Sequence, residues 1–352
     1  MRKRQLAAIL LGVALPVAAP AAADGLDPAA VLEDARLFFE PIPLAPPVPE
    51  GNVLSRARID LGKSLWFDPR LSRSWVFSCN SCHNVGMGGM DGLPTSIGHG
   101  WAQGPRNSPT VFNAIFNAAQ FWDGRAADLR EQATGPIEAA VEMANTEERV
   151  IATLSSMPGY VEMFEAAFPG EDAPITFDNL AKAIEAFEAT LITPNDRLDQ
   201  FLMGDLGVLN EQELRGLQTF IDGGCVTCHQ GVNLGGQEYY PFGLVERPGA
   251  DILPEGDRGR FEVTRTAIDD YVFRASPLRN IAITPPYFHS GAVWELETAV
   301  AVMSVAQLGG ELTDSQIADI TAFLRTLTGE IPQVEMPVLP ELGPDTPLPE
   351  PM

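Results

Sequence analysis

Cys79–Gly100 reads CNSCHNVGMGGMDGLPTSIGHG, and Cys225–His229 reads CVTCH. Each segment contains Cys-x-x-Cys-His. At this spacing two thiols can form thioethers to the vinyl groups of a haem, and the adjacent histidine becomes the proximal ligand of its iron. The chain has four cysteines and four histidines in 352 residues. The two motifs take every cysteine (Cys79, Cys82, Cys225, Cys228) and two of the histidines, His83 and His229. No thiol is left for a disulfide framework. A zinc site shared by the two pairs fits poorly, because about 140 residues separate them. The sequence specifies a dihaem c-type cytochrome.

Each haem needs a small helical shell, so the expected fold is mainly α, with two cytochrome c-like helical domains that each enclose one covalently bound haem. In LAKAIEAFEATL, Leu180, Ile184, Phe187 and Leu191 form one helical stripe, and Thr193-Pro194-Asn195 ends it. The predicted division is a first haem domain over 24–193 and a second over 194–330. Asn210–Glu213 reads as a helix cap ahead of Leu214, Leu217, Phe220 and Ile221, and Gly223-Gly224 delivers Cys225. Thr313–Gln316 has capping-box form, followed by Ile317, Ile320, Leu324 and Leu327 as a buried face. Residues 331–352, rich in proline, read as an extended tail free to lie over the body.

Residues 1–23 combine a basic start (Arg2, Lys3, Arg4), a short apolar run and a small-residue site at Ala21–Ala23, the form of a secretory signal peptide. The run is shorter than the roughly 20 apolar residues of a membrane span. The expected mature protein is exported to the periplasm, where haem can be attached, and has no membrane span. The formal net charge of −24 argues against nucleic acid and anionic membranes as partners and suits a basic protein partner.

The second haem's sixth ligand follows by elimination. Beyond His229 the candidates are His289, Met303, Met336 and Met352. Met336 lies in the proline tail, Met352 is the chain end, and His289 reads as a structural or propionate-contacting residue. Met303 remains, and His/Met ligation raises a haem's potential, which suits an electron-accepting centre. For the first haem, His99 competes with Met87, Met90, Met143, Met157, Met163 and Met203. His99 sits in a glycine-rich segment with little commitment to helix or strand, where a ligand could bind in one state and leave in another.

The runs LGKSLWFDPRLS, SCNSCHNVGMGGMDGLPTSIGHGW, GPRNSPTVFNAIFNAAQFWDGRAADLREQATGPIEAAVEM and SPLRNIAITPPYFHSGAVWELETAV resemble the bacterial dihaem cytochrome c peroxidases, from about Leu54 to Leu327. The resemblance implies a peroxidatic haem with His83 proximal and His99 as a removable distal ligand. It also implies a catalytic Glu142 with Gln132 nearby, Trp122 between the haems, and an electron-entry haem held by His229 and Met303. An interdomain Ca2+ would be bound by Asn107 and by the carbonyls of Thr284 and Pro286, oxygen donors that suit a hard cation. Arg106, Arg125 and Arg279 are candidate partners for haem propionates.

The implied reaction is reduction of H2O2 to two waters. Electrons would come from a small periplasmic donor, a cytochrome c or a copper protein, and family members are typically homodimers. Glu142 lies in the apolar run AAVEMA, where burial would raise its pKa into a range useful for moving a proton between the peroxide oxygens. Reduction of the second haem would release His99. A related branch that oxidises residues of a partner protein carries tyrosine at the Met303 position; methionine here favours the peroxidase. A pure electron carrier would have no need of Glu142.

Overall fold

The structure, a computed structural model, describes residues 25–352; the expected signal peptide lies outside them. Among the described residues the helices are, in chain order, α1 (Pro28–Ala35), α2 (Arg56–Phe67), α3 (Cys79–Cys82), α4 (Leu129–Glu138), α5 (Glu147–Ser155), α6 (Pro158–Ala167), α7 (Phe177–Glu188), α8 (Arg197–Leu202), α9 (Glu211–Asp222), α10 (Phe261–Thr264), α11 (Leu296–Leu308) and α12 (Asp314–Leu324). Strand structure among them is confined to one antiparallel pair, β1 (Tyr239–Pro241) and β2 (Val272–Arg274), with Tyr239 opposite Arg274. No described helix is long and apolar enough to cross a membrane. The fold is mainly α, as expected.

Two hydrophobic cores form. In the first, Leu61, Leu65 and Trp66 of α2 meet Leu180, Ile184 and Phe187 of α7. In the second, Leu214, Leu217 and Phe220 of α9 meet Ile320, Phe323 and Leu324 of α12. The helices start where their caps are written. Thr176 accepts from the Asn179 amide at α7, while Asn210 with Glu213 and Thr313 with Gln316 close capping boxes at α9 and α12.

Each core is built around a glycine. Gly62 of α2 lies so close to α7 that a Cβ would overlap the Ala183 carbonyl oxygen. Gly216 of α9 stands in the same relation to the Asp319 carbonyl of α12. The absent side chain lets the two backbones approach within van der Waals distance, which fixes where the helices cross.

Chain order and core membership part company at both ends. Val31, Leu32 and Ala35 of α1, with Phe39, pack in the second core rather than with the first-domain residues that follow them. Long-range hydrogen bonds just after the helix hold it there: the Gly231 amide donates to the Phe38 carbonyl at 2.7 Å, and buried Arg279 donates to the Glu40 carbonyl at 3.0 Å. The proline-rich tail runs back over the first domain. Arg70 donates to the Pro340 carbonyl at 2.8 Å, and Glu350 pairs with Arg73 and Arg149, both at 2.8 Å. Between the cores, the Thr193 hydroxyl accepts from Asn113 and from Asn280, each at 2.8 Å.

Replacing Gly62 with alanine forces α2 and α7 apart and is expected to cost about 1–3 kcal/mol. Gly310, where a Cβ would meet nothing within 4 Å, serves as the control. A thermal midpoint lowered by Gly62→Ala no more than by Gly310→Ala would refute this account of the crossing.

Candidate active site and haem cavities

Each Cys-x-x-Cys-His motif is a tight helical turn. Ser78 and Ser81 close a capping box at the start of α3, so Cys79 and Cys82 lie one turn apart and His83 follows as the turn ends. The His83 Nδ1–H donates to the Pro109 carbonyl at 3.1 Å, and the His229 Nδ1–H to the Leu234 carbonyl at 3.2 Å. A carbonyl can only accept, so each bond fixes the tautomer and leaves Nε2 with its lone pair for a metal. Desolvation lowers the pKa of both imidazoles, which favours the neutral form that ligation needs. Burial pushes the thiols of Cys82 and Cys225 up to about 11.

The motifs open into separate cavities. The first, about 470 Å³, is lined by Cys79, Cys82 and His83 and by Trp66, Gln132 and Glu142. The second, about 190 Å³, is lined by Cys225, Cys228 and His229, by Met303 of α11, and by an apolar wall that includes Phe220, Phe242 and Phe273. Each cavity therefore holds one complete set of two thiols and an imidazole, and the second adds the Met303 thioether. This donor set fits two c-type haems.

Glu142 lies in the turn after α4 rather than on a helix. It is half-buried, and desolvation raises its carboxyl pKa, partly offset by the Arg125 guanidinium. Gln132 lines the same cavity from α4. His99 begins a short 3-10 turn between Gly98 and Gly100 and is not among the residues lining the cavity. Its backbone amide donates to the Glu142 carbonyl at 2.7 Å, and its Nδ1 is buried with no hydrogen-bond partner among the described residues. Of the alternative methionines, Met143 alone is among the lining residues.

Trp122 lines both cavities. Its Nε1 donates to the Asn107 carbonyl at 2.9 Å. His289 lines the second cavity, stacked on Phe273 with ring centroids 4.2 Å apart, and burial pushes its pKa down to about 4. Asn107 joins the halves of the chain: its amide donates to the His289 carbonyl at 2.8 Å, and its side-chain nitrogen to the Leu93 carbonyl at 2.9 Å. The Thr284 hydroxyl is turned to its own segment, donating to the Ile281 carbonyl.

The arginines divide. Arg279 is spent on Asp196, on Asp199 at 2.8 Å and on the Val232 carbonyl, so it has no charge to offer a propionate. Arg106 pairs with Asp123 at 2.6 Å and grips both oxygens of Asp257. Arg125 stacks on Phe121 and also pairs with Asp123. Two cavity residues escape a reading of the sequence. Arg274 of β2 is buried, lines the second cavity, and has an Nη1 without a partner among the described residues; a cation in the apolar strand Val-Phe-Arg is the available signal. Glu188, on the stripe of α7, lines the first cavity.

Residues 56–207 match the family described as di-haem cytochrome c peroxidase. The chain is 56% identical over 344 residues to the cytochrome c551 peroxidase of Pseudomonas aeruginosa, covering 98% of this chain and 97% of that protein. It is 47% identical over 292 residues to the cytochrome c551 peroxidase of Nitrosomonas europaea, covering 83% and 86%. Among solved structures, a MauG-like protein associated with microbial copper homeostasis superposes with a TM-score of 0.74 at 31% identity, covering 83% of this chain and 94% of that one.

The Arg125 charge favours the Glu142 carboxylate, so removing it raises that carboxyl's pKa further. Arg125→Leu is expected to move the Glu142 titration, followed as the carboxylate infrared band lost in Glu142→Gln, to higher pH. An unchanged or lowered midpoint would contradict the assigned cause.

Proposed function

The chain belongs to the di-haem cytochrome c peroxidase family and is a cytochrome-c peroxidase acting on hydrogen peroxide, and from that premise we propose how its own residues divide the work. The observation that carries the reading is the shared wall. Glu142, Gln132 and His83 line one cavity, His229 and Met303 line the other, and Trp122 lines both.

His83 would hold the first haem's iron, and His229 with Met303 the second's. Thioethers at Cys79 and Cys82, and at Cys225 and Cys228, would anchor the two rings. When bound, the first haem supplies the redox centre at which peroxide is cleaved, and the second receives electrons from the donor. Glu142 takes the proton from the inner peroxide oxygen and delivers it to the outer one, which departs as water. Desolvation raises its pKa, partly offset by Arg125, a shift toward the protonated form that the delivery step uses. Gln132 hydrogen-bonds the peroxide and orients it. Trp122 carries electron density across the shared wall. Two electrons and two protons complete the conversion of one H2O2 to two H2O.

His99 acts as a movable gate on the first cavity. Support comes from its glycine-flanked turn, its position outside the lining and its unpartnered Nδ1. The turn is tied to Glu142 through the 2.7 Å backbone bond, so gate and acid–base group move together. Calcium is proposed at the junction, held by the Asn107 side-chain oxygen and the Thr284 and Pro286 carbonyls. No cluster of three His, Cys, Asp or Glu side chains suited to a metal occurs among the described residues, and neutral oxygens of this kind suit Ca2+. In this reading residues 24–193 form the peroxidatic unit and 194–330 the electron-entry unit, with α1 lent to the latter's core. The donor is a small basic cytochrome c or a copper protein drawn by the net charge of −24. The enzyme works in the periplasm as a homodimer, as the resemblance implies.

The test is peroxide turnover with a reduced cytochrome c, comparing fully oxidised protein with protein pre-reduced at one haem. Activity only after pre-reduction is expected, and chelation of calcium is expected to suppress it. His99→Gly should make the oxidised form active at once; if it reacts no faster than wild type, the gate is refuted. Glu142→Gln should lower turnover by about 10²–10⁴-fold, and a loss under about tenfold would remove Glu142 from the chemistry.

A further inference from the structure

The first cavity contains a second buried acid that the proposed cycle leaves without a task. Glu188, in the last turn of α7, is 3% exposed and lines this cavity, and its Oε2 has no hydrogen-bond partner among the described residues. It faces the Cys79 side, where its charge bears on the thiol. Trp66, packed beside His83 with ring centroids 6.2 Å apart, also lines the cavity with its Nε1 unpartnered among the described residues.

Most cations of the surrounding helices have other partners. On α2, Arg56 pairs with Asp60, and Arg58 is bound to Asn52 and stacked on Phe168; on α4, Arg130 pairs with Asp178, as does Lys182 of α7; on α5, Arg149 pairs with Glu350. Lys63 of α2 is not among the residues lining the cavity. The charge that acts on Glu188 from its own helix is of like sign, Glu185, itself buried and bonded to Asn52 at 2.7 Å. Of the other titratable groups on the cavity wall, Cys79 and Cys82 would be consumed as thioethers. Burial lowers the His83 pKa; Glu142 lies in the turn beyond α4, its raised pKa partly offset by Arg125; and Glu262 pairs with Arg265 at 2.8 Å. Arg106, Asp123 and Asp257 also line the cavity and are closed into one ion-pair group.

We infer that Glu188 is a proton-coupling residue of the first haem, taking up a proton when that haem gains an electron and releasing it on reoxidation. The inference rests on the reading of this cavity as a haem site. An electron added beside a buried carboxylate raises the cost of its negative charge, and a proton from solvent cancels it. The balance is one electron from the donor and one proton from solvent; the bond formed is the carboxyl O–H. Burial, with the like charge of Glu185, pushes the Glu188 pKa up to about 8, so the carboxylate is present to take up a proton from around that pH upward, until the still higher pKa of the reduced state is passed. Glu188 touches no reacting oxygen in this scheme and acts through the haem's potential alone.

The experiment is a redox titration of the holoprotein followed at the first haem's own absorption bands, from about pH 6 to about pH 9, a range chosen to bracket that value. In wild type the potential is expected to fall as pH rises through the range where Glu188 loses its proton. Glu188→Gln, neutral at every pH, is expected to flatten that decline and leave the second haem's profile unchanged. An identical decline in Glu188→Gln overturns the inference. Two covalent haems per chain, counted in every sample, separate this result from failure of the haem reading itself. Should Glu188→Gln not load haem, reduced-minus-oxidised infrared spectra of Glu142→Gln protein in H2O and D2O decide. A protonated-carboxyl band gained on reduction supports the inference, and its absence overturns it.

Discussion

The architecture depends on two places where helices touch backbone to backbone. Where Gly62 of α2 meets α7 and Gly216 of α9 meets α12, the missing side chain lets a pair of helices cross at a distance that a Cβ would forbid. The same crossings place the aromatic residues that back the proximal histidines. Trp66, one turn after Gly62, packs at 6.2 Å against the His83 ring, and Phe220, one turn after Gly216, at 6.3 Å against that of His229. The two halves solve one problem twice, with the same geometry and different side chains.

Between them lies a polar seam. Thr193 is gripped by Asn113 and Asn280, each with a left-handed backbone, and Asn107 and Trp122 run alongside. The loop carrying Arg106 reaches Asp257 in the second half while Arg106 also pairs with Asp123 in the first. These contacts are directional, and most are buried. Directional contacts of this kind hold the two halves in one fixed geometry, whereas an apolar seam could accommodate other geometries by small repacking.

Much of this is legible in the residues. The caps at Asn210 and Thr313 and the stripe Leu180–Leu191 occur where local rules place them, because each depends on neighbours within four positions. Met303 lines the His229 cavity, and so does His289, so position alone does not choose between them. What cannot be read is long-range. Nothing in PAAVLEDA says which core its Val31 and Leu32 will enter, since an amphipathic helix fits either. Arg279 reads as an anion partner from its segment, but its charge is settled by Asp196 and Asp199 at α8, the former 83 positions earlier in the chain. Glu188 in the sequence is only a space in a helical stripe. Its isolation depends on its burial and on the like charge of Glu185 beside it.

The ends of the chain are exchanged between the halves: the beginning is lodged in the second core, and the last residues strap the first. Synthesis proceeds from one end, yet the first half is not closed until Glu350 has met Arg73 and Arg149. The second core takes up α1, made before either core, and its members end at Leu327, so it can close before the first half is strapped. The half whose chain is made first is thus the one whose surface is finished later.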